Sequence, residues 1–219
     1  MELNAPAVIP PAFPRWEATM DRWGSLMLAS VSSCAEMASI GFGMPRDAIS
    51  SLMRHGPHLL APTGSDLSRF CEVGRPLAGW HNDLNLLTIH GKARYSGLSA
   101  WLRDGTKLRV SVPRGCLLVQ AGQQLEHLTA GAVQAGMHEV VVTQAALARA
   151  QDARNANRPP WRVSSTLFAH IASDQTLTPL APVFASKESQ AAYPSTTAGE
   201  QVLGILQKIA LSKPPSSAA

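Results

Sequence analysis

Apolar positions change period along the chain. From Pro14 onward, Trp16, Met20, Trp23, Met27, Val31, Cys34 and Ala38 recur at three- and four-residue steps. Arg15, Glu17, Asp21 and Arg22 fall mostly off that stripe, which is the pattern of an amphipathic helix. Gly41-Phe42-Gly43 ends it, and Pro45 with Asp47 opens a short second helix through about Arg54. The stripe is expected to pack on the outside of a sheet as core, not to form a cofactor box. Residues 1–14, with four prolines, form an irregular lead-in.

After Gly56-Pro57 the helical period gives way to short runs between turn signals. Strands are expected at His58–Ala61 and Ala78–Trp80, with a polar loop from Pro62 to Arg75 between them. Further strand-like runs are Leu84–His90, Gly97–Arg103, Lys107–Val112, Cys116–Ala121, Ala132–Thr143 and Trp161–Ile171. Asp104-Gly105 is a hairpin signal. In the last run Arg162, Ser164, Thr166 and Phe168 share one face, and Val163, Ser165, Leu167 and Ala169 the other. Gln123–Thr129 and Ala145–Asn157 are helical, Pro179–Pro194 is loop, and Thr197–Leu211 is a terminal amphipathic helix. Helices, then short strands, then a helix predict an α+β domain over 15–211 with an antiparallel sandwich or barrel. Its parts are helical 15–55, a strand core 56–180 and the C-terminal helix 197–211, with 212–219 a tail.

Composition narrows the function classes. Hydrophobic residues are 45% and charged residues 16% of 219, a globular balance. The net charge of +4 is scattered, with no basic block, so a nucleic-acid partner is not expected. No apolar run reaches the ~18–20 residues that span a bilayer, and no membrane association is expected. Cys34, Cys71 and Cys116 lack CxxC spacing and are expected to be reduced thiols. The opening Met-Glu-Leu-Asn-Ala-Pro has no basic n-region, which leaves the cytoplasm as the expected location.

Candidate chemistry begins at Gly79-Trp80-His81-Asn82-Asp83. In an extended chain His81 and Asp83 project from one face and reach a common point. Two histidines, one carboxylate and open positions characterise non-haem Fe(II) sites, so a third ligand is needed from elsewhere. His138, in the run Met137-His138-Glu139-Val140, is the attractive partner. His127 lies in a helical turn, His90 stands at a strand end beside Lys92 and Arg94 as a solvated surface residue, and His170 is packed or superficial. Arg162 and Ser164 share a strand face, and a guanidinium with a hydroxyl makes a carboxylate receptor.

These elements, taken in order, resemble the Fe(II)/2-oxoglutarate-dependent dioxygenase superfamily, in its isopenicillin N synthase-like branch. The resemblance runs from Gly79 to about Ser173. It is carried by His81-Asn82-Asp83, by His138 55 residues after Asp83, and by Arg162-Val163-Ser164. Val112–Gly122 and Leu125-Glu126-His127-Leu128-Thr129-Ala130-Gly131 resemble further segments of that branch. It implies a double-stranded β-helix (jelly roll) with flanking N- and C-terminal helices. His81, Asp83 and His138 would ligate Fe(II), and Arg162 with Ser164 would hold the far carboxylate of 2-oxoglutarate. O2 would then oxidise a small organic substrate, by hydroxylation or desaturation, with release of succinate and CO2. Two further outcomes stay open: an iron oxidase of the same fold without 2-oxoglutarate, or an inactive relative serving as a binding module. Two features depart from the branch. The 24 residues from His138 to Arg162 include a helical insert, and the chain starts near the relatives' long helix, as a member short at its N-terminus. Leu59-Leu60-Ala61-Pro62 stands where many relatives carry tyrosines, so no tyrosine is expected at the cosubstrate.

Overall fold

The computed structural model describes residues 8–180 and 182–209. The long apolar stripe forms helix α1 (Trp16–Gly41). Its buried line is Met27, Val31, Ala35 and Ser39, four residues apart, with Trp23, Cys34 and Ala38 packed partly beside it. The stripe is not buried along its whole length. Trp16 is 38% exposed, and its aromatic neighbour Phe13 is itself exposed, so the first turn meets no core. The second helix is reduced to a 3-10 turn at Ser50–Met53.

The strands and later helices follow as β1 (Leu59–Asp66), β2 (Pro76–His81), β3 (Leu87–His90), β4 (Leu98–Trp101), β5 (Lys107–Arg109), β6 (Leu118–Ala121), α2 (Gln123–Leu128), β7 (His138–Val141), α3 (Gln144–Asn155), β8 (Trp161–Ala169), β9 (Thr176–Leu177), α4 (Lys187–Ala192), β10 (Thr196–Thr197) and α5 (Ala198–Lys208). They make an α+β architecture with two four-stranded antiparallel sheets, in the orders β1-β8-β3-β6 and β2-β7-β4-β5. β9 and β10 form a separate pair.

Each strand of the first sheet has two faces with different tasks. Leu87, Ile89, Leu167 and Ala169 join Met27 and Val31 of α1 in the main core. Trp23 adds an indole N–H donated to the Ser165 hydroxyl at 2.5 Å. α1 thus covers the outside of this sheet, as expected. Among the described residues no helix covers the second sheet in this way: Trp80 is 62% exposed, edge-on against Trp101.

Several boundaries differ from expectation, each for a local reason. The segment Pro62–Asp66, expected as loop, continues β1, because β1 is an edge strand where a proline without N–H is tolerated. β3 starts at Leu87 and not Leu84, since residues 84–86 bend to meet α2. β5 stops at Arg109 before Pro113-Arg114-Gly115, and all three of its residues are exposed. The run Ala132–Thr143 is a strand only from His138 to Val141; Ala130 and Gly131 turn the chain with positive φ. The Pro179–Pro194 loop contains α4, capped by the Ser186 hydroxyl accepting from the Ser189 N–H. The Asp104-Gly105 hairpin is present, joining β4 to β5. The α5 N-terminus is a capping box between Thr197 and Glu200, while residues 210–211 and the tail 212–219 lie outside the described residues, as do residues 1–7 of the lead-in. Among the described residues no helix is long and apolar enough to cross a membrane.

His170, just past β8, is a packed histidine. Its N–H donates to His58 Nδ1 at 3.1 Å, while its own Nδ1 is buried without a partner among the described residues. Burial, then the neighbouring His58, pushes its pKa down to about 4 from 6.5. The unfolded chain therefore takes up a proton near pH 6.5 that the native state refuses until about pH 4. Stability from this neutral imidazole is full above pH 6.5 and falls as pH drops through that window. We expect His170→Gln to flatten the acid limb of the stability curve by up to about 1.4 kcal/mol per pH unit, measured by urea midpoints at pH 7 and pH 5. An unchanged slope would show that His170 does not carry it.

Candidate metal centre

His81 ends β2 and His138 opens β7, and the two are direct partners across the antiparallel pair. Their side chains leave the same face, with ring centroids 4.3 Å apart. Two register shifts within β2 bring His81 to that position. Asp83 follows two residues later, beyond the strand. Its Oδ1 lies 3.6 Å from His81 Nε2 and 3.9 Å from His138 Nε2. Ligand atoms of the three residues lie within 4.8 Å of one another, a group able to hold one metal ion. The Asp83 and His138 side chains are each 6% exposed, that of His81 44%.

The connection carrying Asp83 is held by main-chain hydrogen bonds. Gly122 N–H donates to Leu86 O at 3.0 Å, Gln123 N–H to Asp83 O at 2.8 Å and Gln124 N–H to Asn85 O at 3.1 Å. These are amides at the start of α2, which has no side-chain cap, so the Asp83 connection satisfies them. Gly122 permits the approach: a Cβ there would lie 2.0 Å from Asn85 O. The Thr88 hydroxyl donates to Asp83 Oδ2 at 2.6 Å, leaving Oδ1 to face the histidines.

The imidazoles are oriented in the same way. His81 Nδ1 lies 2.6 Å from Gly79 O and His138 Nδ1 3.0 Å from Gly136 O. A carbonyl only accepts, so each Nδ1 carries the hydrogen and each Nε2 turns a lone pair toward Asp83 Oδ1. The Gln120 amide sits 3.0 Å from His138 Nδ1, a contact that pairs when the amide oxygen faces the ring.

The three residues line a cavity of about 480 Å³ between the inner faces of the two sheets. Arg162, Ser164, Thr166 and Phe168 line it too, on the shared face expected from alternation. Arg162 is 8% exposed; its guanidinium has no hydrogen bond or ion pair among the described residues, and its Nε is wholly buried. Burial alone holds its pKa below the ordinary guanidinium range. A buried unpaired charge is costly, so this guanidinium calls for an anion in the cavity.

His90 corrects an expectation. It is half-buried in the cavity wall, not solvated, because β3 pairs it opposite Thr166 on the inner face of β8. Its Nδ1 lies 3.1 Å from Thr166 Oγ1, and its Nε2 is buried without a partner among the described residues. Burial drives its pKa to about 4, against the opposing pull of the Asp83 carboxylate. Tyr95 is a second wall residue that sequence reasoning missed: it is 3% exposed, and its hydroxyl has no partner among the described residues. The cavity thus has a phenol, supplied from a segment other than Leu59–Pro62. His127 lies outside the cavity, against Tyr193.

Solved structures share this architecture. A protein of Caulobacter crescentus assigned to the 2OG-Fe(II) oxygenase family matches at 25% identity and TM-score 0.76, over 94% of this chain and 63% of that one. This chain has the fold of that 2OG-Fe(II) oxygenase family protein. A full-length Neurospora crassa protein solved in complex with alpha-KG matches at 17% identity and TM-score 0.75, over 95% of this chain and 62% of that one. A rice dioxygenase for auxin oxidation matches at 17% identity and TM-score 0.66, over 92% and 61%. The chain therefore spans about three fifths of the length of these structures. Neither a family model nor a curated protein matches the sequence.

In this oxygenase fold Thr88 fixes which Asp83 oxygen meets the histidines. We expect Thr88→Val, which keeps the shape and removes the donor, to weaken divalent-metal binding about 10- to 100-fold. Mn(II) titration followed by electron paramagnetic resonance reads this directly; an unchanged affinity would remove Thr88 from the site.

Proposed function

We propose that the chain is a non-haem Fe(II)- and 2-oxoglutarate-dependent oxygenase on a jelly-roll core, oxidising a small organic substrate by hydroxylation or desaturation. The jelly-roll reading rests on the strand order, in which consecutive strands alternate between the two sheets except at the β4–β5 hairpin. The observation that carries the function is Arg162: a buried guanidinium without an acidic partner among the described residues, in the same cavity as two imidazole nitrogens and a carboxylate oxygen.

The residues fit an iron centre. Three ligands, His81, Asp83 and His138, leave coordination positions open for a 2-oxo acid and O2. Arg162 binds the far carboxylate of 2-oxoglutarate through its planar fork, and Ser164 donates beside it. Fe(II), when bound, supplies the coupling of O2 activation to decarboxylation, giving succinate and CO2. The chain's own contribution is position. Thr88 and the carbonyls of Gly79 and Gly136 orient the ligands, and Leu118, Val140 and Phe168 line the cavity with apolar surface. His90 adds a neutral imidazole to the wall. We place the protein in the cytoplasm on its three free thiols, with Cys71 and Cys116 exposed.

The test is anaerobic Fe(II) titration with and without 2-oxoglutarate, followed by succinate release on admitting O2. Arg162→Lys keeps the charge and loses the fork. It is expected to weaken 2-oxoglutarate binding by roughly 10- to 100-fold, from the ~1.5–3 kcal/mol of charged hydrogen bonds, and to leave Fe(II) affinity intact. If the variant binds 2-oxoglutarate as the parent does, Arg162 is not the receptor. If the parent binds iron and turns over without 2-oxoglutarate, the cosubstrate-independent oxidase replaces this reading.

A further inference from the structure

The cavity wall is strongly unbalanced in charge. Lys92, Arg94, Arg149 and Arg162 line it, against the single carboxylate of Asp83. Under the oxygenase reading, on which this inference rests, four charged partners cancel: the metal dication, Asp83, Arg162 and the 2-oxoglutarate dianion. Lys92, Arg94 and Arg149 are left over. None of them has an ion pair or a side-chain hydrogen bond among the described residues. Arg46 and Lys107, by contrast, are paired with Glu36 and Glu139.

These three cations stand on anchored backbone. Lys92 and Arg94 belong to the connection between β3 and β4. Gly91 fixes its start by donating to Ser165 O at 2.8 Å. Tyr95 is buried in a small core with Leu67, Val142, Ala146 and Ala150. The Ser96 hydroxyl pairs with that of Thr143 at 2.9 Å, and Thr143 is the N-cap of α3. Arg149 projects from α3, which packs through Ala146, Ala150 and Ala153. The helical insert between His138 and Arg162 thus closes one side of the cavity with a cation. Like charges grouped at a cavity with low-dielectric walls focus the field and draw in the opposite sign.

We infer that the primary substrate is a small organic anion, a carboxylate or a phosphate ester, held at the cavity mouth by Lys92, Arg94 and Arg149. The insert α3 is then a specificity element, through Arg149.

Matched probes test this by binding, without turnover. Phenylacetate, its neutral isostere phenylacetamide, and phenyl phosphate are titrated calorimetrically into protein loaded anaerobically with Mn(II) and 2-oxoglutarate, and into protein with Mn(II) alone. The acid is expected to bind at least about tenfold tighter than the amide, a difference of ~1.4 kcal/mol. In Lys92→Gln/Arg94→Gln/Arg149→Gln the preference should fall below about threefold and the salt dependence should weaken, with 2-oxoglutarate affinity held within about threefold. Tighter binding of phenyl phosphate than of phenylacetate assigns a phosphate ester; the reverse assigns a carboxylate. Arg149→Gln alone, expected to reduce the preference partially, serves if the triple variant melts early. Equal binding of acid and amide, including no binding of either, overturns the inference. So does a preference that survives the triple variant, or a tenfold loss of 2-oxoglutarate affinity in it, which would assign the cations to the cosubstrate. Failure of the parent to bind 2-oxoglutarate overturns the oxygenase reading instead, and the Mn(II)-only titrations still decide the anion preference.

Discussion

The start of α2 is where the candidate centre is fixed to the fold. A six-residue helix cannot stabilise itself, and its first amides need acceptors. They find them in the carbonyls of Asp83, Asn85 and Leu86, which places the one buried carboxylate of the site. The same contact ends β6, starts β3 and depends on the missing side chain at Gly122. Asn85 ties the connection to β8 by donating to Ala169 O. Position of Asp83 is therefore set by main-chain hydrogen bonding, which is less easily perturbed than side-chain packing.

A second constraint is the division of labour across the first sheet. Along β8, Leu167 and Ala169 belong to the core under α1, while Arg162, Ser164 and Thr166 before them and Phe168 between them face the cavity. One strand thus secures the fold and presents the site. A slip of one residue would exchange the two sets, turning Thr166 and Phe168 toward the core and a leucine toward the cavity. The core and the site enforce each other's register.

This division explains what was legible in the sequence. Alternation along Trp161–Ala169 made the shared face of Arg162 and Ser164 readable, and the helical stripe made α1 readable. His81, Asp83 and His138 were singled out by residue type and order, and the structure brings them together. What the sequence does not display is which strand pairs with which. The polar chain neighbours Lys92 and Arg94 predict a solvated His90, whereas its surroundings come from Thr166, 76 residues away. Tyr95 and Thr88 were missed for the same reason. The extension of β1 through Pro62 was hidden because proline argues against a strand until the strand is known to lie at an edge.

The three residues of the candidate centre are unequally shielded: Asp83 and His138 are enclosed, and His81 stands 44% open to solvent. An ion there would have one exposed flank, through which it could exchange with the surrounding metal pool without opening the fold. Two imidazoles and a carboxylate bind zinc or copper more tightly than ferrous iron. Which ion fills such a site in the cell would then be governed by metal supply and not by affinity, and protein purified in air or with trace zinc would be mismetallated.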